Sequence, residues 1–209
     1  MAPEALIRLG TAFIERPTLI VARALIGCVV VSNLEDGVTT GRIVETEGYC
    51  GPTDPASHAA KTRCGRVSVM WGPPGIAYVY RSYGLHTMLN VVTESDGVAG
   101  AVLIRAVEPL TGIDVMRQRR RLESIRLLCS GPGRLCQALG ITLEDQGVDL
   151  IDDDRLWIAA AAAVPAVSAG TRIGITRGIE HHWRFFETGS RWVSAHRRGE
   201  PLLDEGLTA

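Results

Sequence analysis

The sequence predicts a mixed α/β (α+β) fold in a single domain. Segments rich in β-formers recur along the chain and are joined by turn signals such as Asp36-Gly37 and Ser95-Asp96-Gly97, so the sheet is expected to be antiparallel or mixed. Hydrophobic residues make up 46% of the 209 and are spread along the chain, which provides for one continuous core. No stretch in the middle has the composition of a flexible linker, so residues 1–209 are read as one domain with flexible ends.

The elements follow in order. Pro17-Thr18 opens an apolar run to Leu25 that Gly27 stops, the signature of a short helix. Residues 28–32 and 39–49 are β-rich and flank the Asp36-Gly37 turn, so they are expected to form an antiparallel hairpin. The side-chain period of two places Ile43, Glu45, Glu47 and Tyr49 on one face of the second strand. Residues 51–75 hold four prolines and four glycines with little periodicity and are read as a long loop, a frequent carrier of function. Strands are expected at 77–83, 86–93 and 101–107, then a helix over 111–124 with a basic end. Ser130-Gly131-Pro132-Gly133 precedes a short helix closed by Gly140, and two further strands are expected at 172–176 and 184–187.

Composition excludes several classes. The first residues carry Glu4 and Arg8 instead of a signal-peptide apolar run, and no window approaches the roughly 20 apolar residues of a spanning helix; the expectation is a cytoplasmic protein without membrane contact. Five cysteines without a Cys-x-x-Cys pair fit reduced thiols. A formal net charge of −1 argues weakly against nucleic acid, although 21 of the 22 basic residues are arginine, a choice that suits phosphate contacts or equally reflects a GC-rich genome. No zinc spacing is present, and the adjacent His181 and His182 cannot both face one ion on a strand, so no metal is expected.

Chemistry-bearing residues concentrate between Glu45 and Gly84. Glu45 and Glu47 leave their strand beside the long loop, a suitable place for a general base, although acids on strands are more commonly surface groups or ion-pair partners. All four tyrosines, Tyr49, Tyr78, Tyr80 and Tyr83, fall within 35 residues and include His58 in their span. Aromatic faces stack on nucleobases at about 1–3 kcal/mol per base, while the plain alternative is strand filler. Lys61, the only lysine, and the N-terminus are the sole amines for a Schiff base, so hydrolysis by water is the simpler chemistry.

Taken in order, Gly41-Arg42-Ile43-Val44-Glu45-Thr46-Glu47-Gly48-Tyr49, Asp54-Pro55-Ala56-Ser57-His58, Trp71-Gly72-Pro73-Pro74-Gly75 and Tyr78-Val79-Tyr80 through Asn90 resemble the alkyladenine (3-methyladenine) DNA glycosylase family. The blocks at residues 102–109, 116–117, 128–139 and 189–194 resemble it too, and the similarity spans about residues 16–194. The resemblance implies one domain built on a curved, largely antiparallel sheet flanked by helices. It also implies hydrolysis of the N-glycosidic bond of alkylated or deaminated purines in duplex DNA, with no cofactor, no obligate protein partner and a monomeric state.

The same resemblance assigns roles. Glu47 would activate the attacking water and Arg105 would help hold it. Tyr49, His58 and Tyr80 would enclose a flipped base, with Asn90 at the pocket edge disfavouring the amino group of guanine, and Tyr83 would wedge into the minor groove. Where the family often carries Arg-Gly-x-Thr-x-Arg-Asn, this chain has Lys61-Thr62-Arg63-Cys64-Gly65-Arg66-Val67; Arg63 and Arg66 remain as backbone-phosphate contacts, but Val67 cannot bond as an asparagine would. The rival expectation is a catalytically weak protein that binds damaged bases. Hydrolysis of free nucleosides is disfavoured by the wedge tyrosine and the many arginines.

Overall fold

The computed structural model describes residues 6–194, 200 and 201. The expectation of flexible ends falls on residues outside these. Strands β1 (Val29–Leu34) and β2 (Gly37–Tyr49) form the hairpin expected around Asp36-Gly37. β3 (Ala77–Ser82), β4 (His86–Val92) and β5 (Ala101–Thr111) follow, and later come β6 (Leu156–Ala159), β7 (Val167–Gly170), β8 (Arg184–Glu187) and the two-residue β9 (Glu200–Pro201). Every pairing between the described strands is antiparallel. The fold is α+β.

The sheet order is β3-β4-β5-β2-β8-β7-β9, with β1 and β6 branching from β2. The branch exists because β2 is long enough to serve two neighbours on one edge. Its first half, through Arg42, pairs with β1, and residues from Glu45 to Glu47 pair with β8, while its other edge runs along β5. Register shifts against β5 lie between Ile43 and Thr46, at the fork; bulges bend and twist a strand and re-aim its side chains, and this one lies directly before Glu47.

Helices cover the sheet. α1 (Thr11–Ile14) leads into α2 (Thr18–Ala24), whose Pro17 N-cap has no side-chain oxygen; Glu94 supplies one from the far end of β4, accepting from the Thr18 amide at 2.6 Å and its hydroxyl at 2.7 Å. α2 approaches β2 closely because Gly48 lacks a Cβ, which would stand 2.7 Å from Leu19. α5 (Pro132–Leu139) buries Leu135, Cys136, Ala138 and Leu139 and ends on Gly140 in the left-handed region, φ +68°. Val21, Leu25, Ile43, Val79, Leu89 and Ile104 belong to the main core between helices and sheet.

Two expectations need correction. The helix over 111–124 is shorter, α3 (Ile113–Arg120), because Thr111 stays in β5 with its amide bonded to the Thr40 hydroxyl, and Gly112 at φ +72° turns the chain; a separate short helix, α4 (Ile125–Leu128), follows. Residues 51–75 form the expected long loop, with 3-10 turns at Gly51–Thr53, His58–Ala60 and Gly65–Trp71. Residues 172–176 form no strand; β7 lies just before them, and β6 is not among the expected strands. Val67, the departure from the family pattern, is buried with Ala59, Met70 and Tyr78 in a small apolar cluster under the loop, which suits an aliphatic side chain.

Candidate active site

The C-terminal half of β2 runs through the interior, so both of its acids are fully buried. Burying an ionised carboxylate is costly unless it is paired and hydrogen-bonded. Glu45 is saturated: Arg184 Nη1 donates at 2.8 Å, the Ser194 amide at 2.8 Å and the Ser194 hydroxyl at 3.0 Å, and Arg105 Nε stands 3.5 Å away. Arg184 is itself 1% exposed, so this acid tethers β2 to β8 and to the segment beyond it.

Glu47 is held differently. Its Oε2 accepts from the Tyr49 hydroxyl at 2.9 Å, its Oε1 accepts from the Ile173 amide at 2.7 Å, and Arg105 Nη1 lies 3.3 Å from Oε1. Burial pushes its carboxyl above the usual range, while Arg105, the Ile173 amide and the Tyr49 hydroxyl pull it back and Glu45 adds a smaller upward push. All three groups that touch this carboxylate line a cleft of about 690 Å³, within the size range of small-molecule pockets. Glu47 therefore stands directly behind the cleft wall.

The cleft is also lined with aromatic rings. Tyr78 and Tyr80 alternate with Val79 on β3 and share a face, their ring centroids 5.3 Å apart. His58, at the start of its 3-10 turn, meets Tyr80 edge-on at 4.7 Å and shares a 2.7 Å hydrogen bond between Nδ1 and the Tyr78 hydroxyl. Burial, and then the charges of Arg66 and Lys61, lower the His58 pKa below its ordinary 6.5, so the ring is neutral at pH 7. Asn90 is buried on β4 opposite Tyr78 and Leu103, and its Nδ2 donates to the Tyr78 carbonyl at 2.9 Å. Tyr49, His58, Tyr80, Asn90 and Arg105 all line the one cleft.

Tyr83 sits at the cleft mouth, 88% exposed, at the tip of the turn between β3 and β4. The turn closes through the Leu85 amide and the Ser82 carbonyl at 3.0 Å, and both central residues are left-handed, Tyr83 at φ +49° and Gly84 at φ +69°. That geometry suits the twist of a hairpin but is unfavourable for tyrosine. Arg63 and Arg66 are exposed on the 51–75 loop, Arg66 5.8 Å from the Tyr80 ring centre and Arg63 5.2 Å from that of Trp71. Among the described residues no group of three or more His, Cys, Asp or Glu is placed to hold a metal ion.

Sequence reasoning missed three participants. Tyr78 was legible as part of the tyrosine cluster but not as the partner of His58. The Ile173 amide carries no side-chain signal at all. Arg172 forms a bidentate pair with Asp54, Nη1 to Oδ2 at 2.5 Å and Nη2 to Oδ1 at 2.9 Å, across 118 residues of chain. Burial alone would raise the Asp54 carboxyl, but Arg172 and the Ala56 and Cys50 amides bring it below its ordinary 3.8. Residues 172–176 form no strand because the Ile173 amide goes to Glu47 instead of a ladder partner and Gly174, at φ +78°, breaks the extended run.

Comparison with known proteins points one way. A family model described as methylpurine-DNA glycosylase matches residues 12–191. A Chlorobaculum parvum protein named "Putative 3-methyladenine DNA glycosylase" is 48% identical over 197 residues, covering 93% of this chain and 94% of its own length. Proteins of the same name from Methanoculleus marisnigri and Agrobacterium fabrum are 46% and 48% identical over 191 and 183 residues, covering 89% and 88% of this chain and 98% and 90% of their own.

Proposed function

The chain belongs to the methylpurine-DNA glycosylase family, and from that premise we propose that it is a monofunctional base-excision glycosylase. It takes an alkylated or deaminated purine out of duplex DNA and hydrolyses its N-glycosidic bond, leaving an abasic site. It works as a monomer without a cofactor.

A base inside a duplex is out of reach, so it must be extruded at a cost of a few kcal/mol, less where damage weakens pairing. Tyr83, presented outward on its turn, fills the gap in the minor groove. The base enters the cleft and stacks among Tyr49, His58 and Tyr80, while Asn90 at the edge disfavours the exocyclic amino group of guanine. Many alkylated purines carry a positive charge. A neutral His58 and tyrosine faces accept that charge without repulsion. Arg63 and Arg66 contact the phosphate backbone.

As the C1′–N bond breaks, its electron pair leaves with the purine and positive charge develops on the sugar. Glu47 stabilises that charge and takes a proton from the water whose oxygen bonds to C1′, with Arg105 helping to align the water. The observation that supports this reading best is the Glu47 carboxylate behind the cleft wall, bonded to Tyr49 and Ile173, while Glu45 is consumed by structural partners. Because Glu47 has no exposed surface, this mechanism requires the wall of Tyr49, Arg105 and Ile173 to yield enough to admit one water.

The test is single-turnover base release from methylated duplexes and from duplexes carrying hypoxanthine or ethenoadenine. Release that requires a duplex, together with binding that weakens steeply with salt, supports the proposal. Specific binding without release on any lesion would leave a damage-binding protein instead.

A further inference from the structure

The Arg172 side chain is wholly buried, and both of its terminal nitrogens are hydrogen-bonded. Asp54 holds it in the plane, and the Gly48 carbonyl accepts from Nη1 at 2.9 Å. The Arg172 Cζ lies 4.8 Å from the Tyr49 ring centre and 4.9 Å from that of Trp183. Trp183 is in turn stacked on His181, centroids 4.0 Å apart and planes within 8°. Tyr49, Arg172, Trp183 and His181 thus form a continuous line of contacts that begins at the cleft wall. The residue after Arg172 gives its amide to Glu47, and the following residues to Arg177 line the cleft.

We propose that Arg172 is a positioning residue for both halves of the site: clamped by Asp54, it backs the Tyr49 ring and fixes the peptide that aims the Glu47 carboxylate. The inference rests on the reading of Glu47 as base and Tyr49 as stacking wall. Its physical content is that a planar, five-donor cation does two things a lysine cannot, bidentate bonding to a carboxylate and face-to-face stacking on a ring. Loosening it frees Tyr49 to turn its hydroxyl away from Glu47 and frees the Ile173 amide.

The test compares Arg172→Lys and Trp183→Leu with wild type in three measurements: thermal stability, affinity for a methylated duplex, and single-turnover release as a function of pH. The charged or ionisable groups facing Glu47 are Arg105, Glu45, Tyr49, Tyr80 and Arg172. Of these, Arg172 is replaced, and the Tyr49 hydroxyl and the Ile173 amide lose the support it gives their bonds to Glu47. The expected result for Arg172→Lys is a fall in release of about 10- to 100-fold, a smaller loss of affinity for the methylated duplex, under about tenfold, from the loosened Tyr49 wall, and an acid limb moved up by about one pH unit. Trp183→Leu, which leaves the Asp54 pair intact, shows the same pattern at smaller size and carries the test if Arg172→Lys does not fold. Wild-type release and an unmoved limb in the folded variant overturn the proposal. Glu47→Gln measured alongside separates the two ideas: a fully active Glu47→Gln sinks the site reading, whereas an inactive Glu47→Gln beside a wild-type Arg172→Lys sinks only the positioning role.

Discussion

Glu45 and Glu47 are two residues apart, equally buried and both in contact with Arg105, yet their glutamine variants are predicted to fail in different ways. In Glu47→Gln the amide oxygen still accepts from the Ile173 N–H, and the Tyr49 hydroxyl can change from donor to acceptor. Arg105 keeps its contact with Glu45 at 3.5 Å. The lost ion pair is offset by the desolvation no longer suffered by a buried charge, so stability stays within about 2 kcal/mol of wild type. Chemistry loses its base, and base catalysis contributes about 10²–10⁴-fold. Release from a methylated duplex should therefore fall about 1000-fold, roughly 4 kcal/mol of barrier. Glu45→Gln instead strips Arg184, buried at 1% exposure, of its carboxylate. Removing one partner of a buried pair costs about 3–5 kcal/mol, which at about 2–4 °C per kcal/mol for a domain of this size lowers Tm by about 6–20 °C. Thermal unfolding and single-turnover release measured on both proteins decide it. A Glu47→Gln protein within tenfold of wild-type release, or a Glu45→Gln protein with unchanged Tm, refutes the division of labour.

The pH response follows from the raised Glu47 pKa. A carboxyl whose folded pKa exceeds its unfolded one takes up extra protons on folding, so wild type should lose stability relative to Glu47→Gln as pH rises from about 4.5 through the raised value, while release rises over the same window. A Tm difference constant across that window contradicts this. Tyr83→Gly removes a left-handed tyrosine worth about 1–2 kcal/mol of strain, partly offset by glycine's extra unfolded-state entropy. Tm should hold or rise while release from duplex drops at least about tenfold and release from single strands changes less, and equal losses on both substrates would speak against a wedge. Arg66→Ala removes one of the charges holding His58 down, so an NMR titration of that ring should report a pKa moved toward 6.5, still restrained by burial. An unmoved His58 would mean that Arg66 does not act on the cleft.

What the sequence determined by itself was whatever rests on neighbours along the chain. The α2 helix, the Asp36-Gly37 hairpin, the Gly140 stop of α5 and the shared face of Tyr78 and Tyr80 depend on backbone preferences and on periods of two or 3.6, all local properties. The ordered motifs likewise carried the resemblance that placed the chain in its family. Tertiary structure alone decided the rest. Glu45 and Glu47 share a face and a composition; they are separated by Ser194 and Ile173, which stand 149 and 126 residues further on and meet them through backbone amides that no side-chain pattern announces. A strand is expected at residues 172–176, but there the Ile173 amide is bound to the buried Glu47 and Gly174 turns left-handed, against a propensity that spans only about 1 kcal/mol. Local preference is additive and weak. The partners of a buried charge are few and nearly obligatory, and only the folded chain says which distant residues they are.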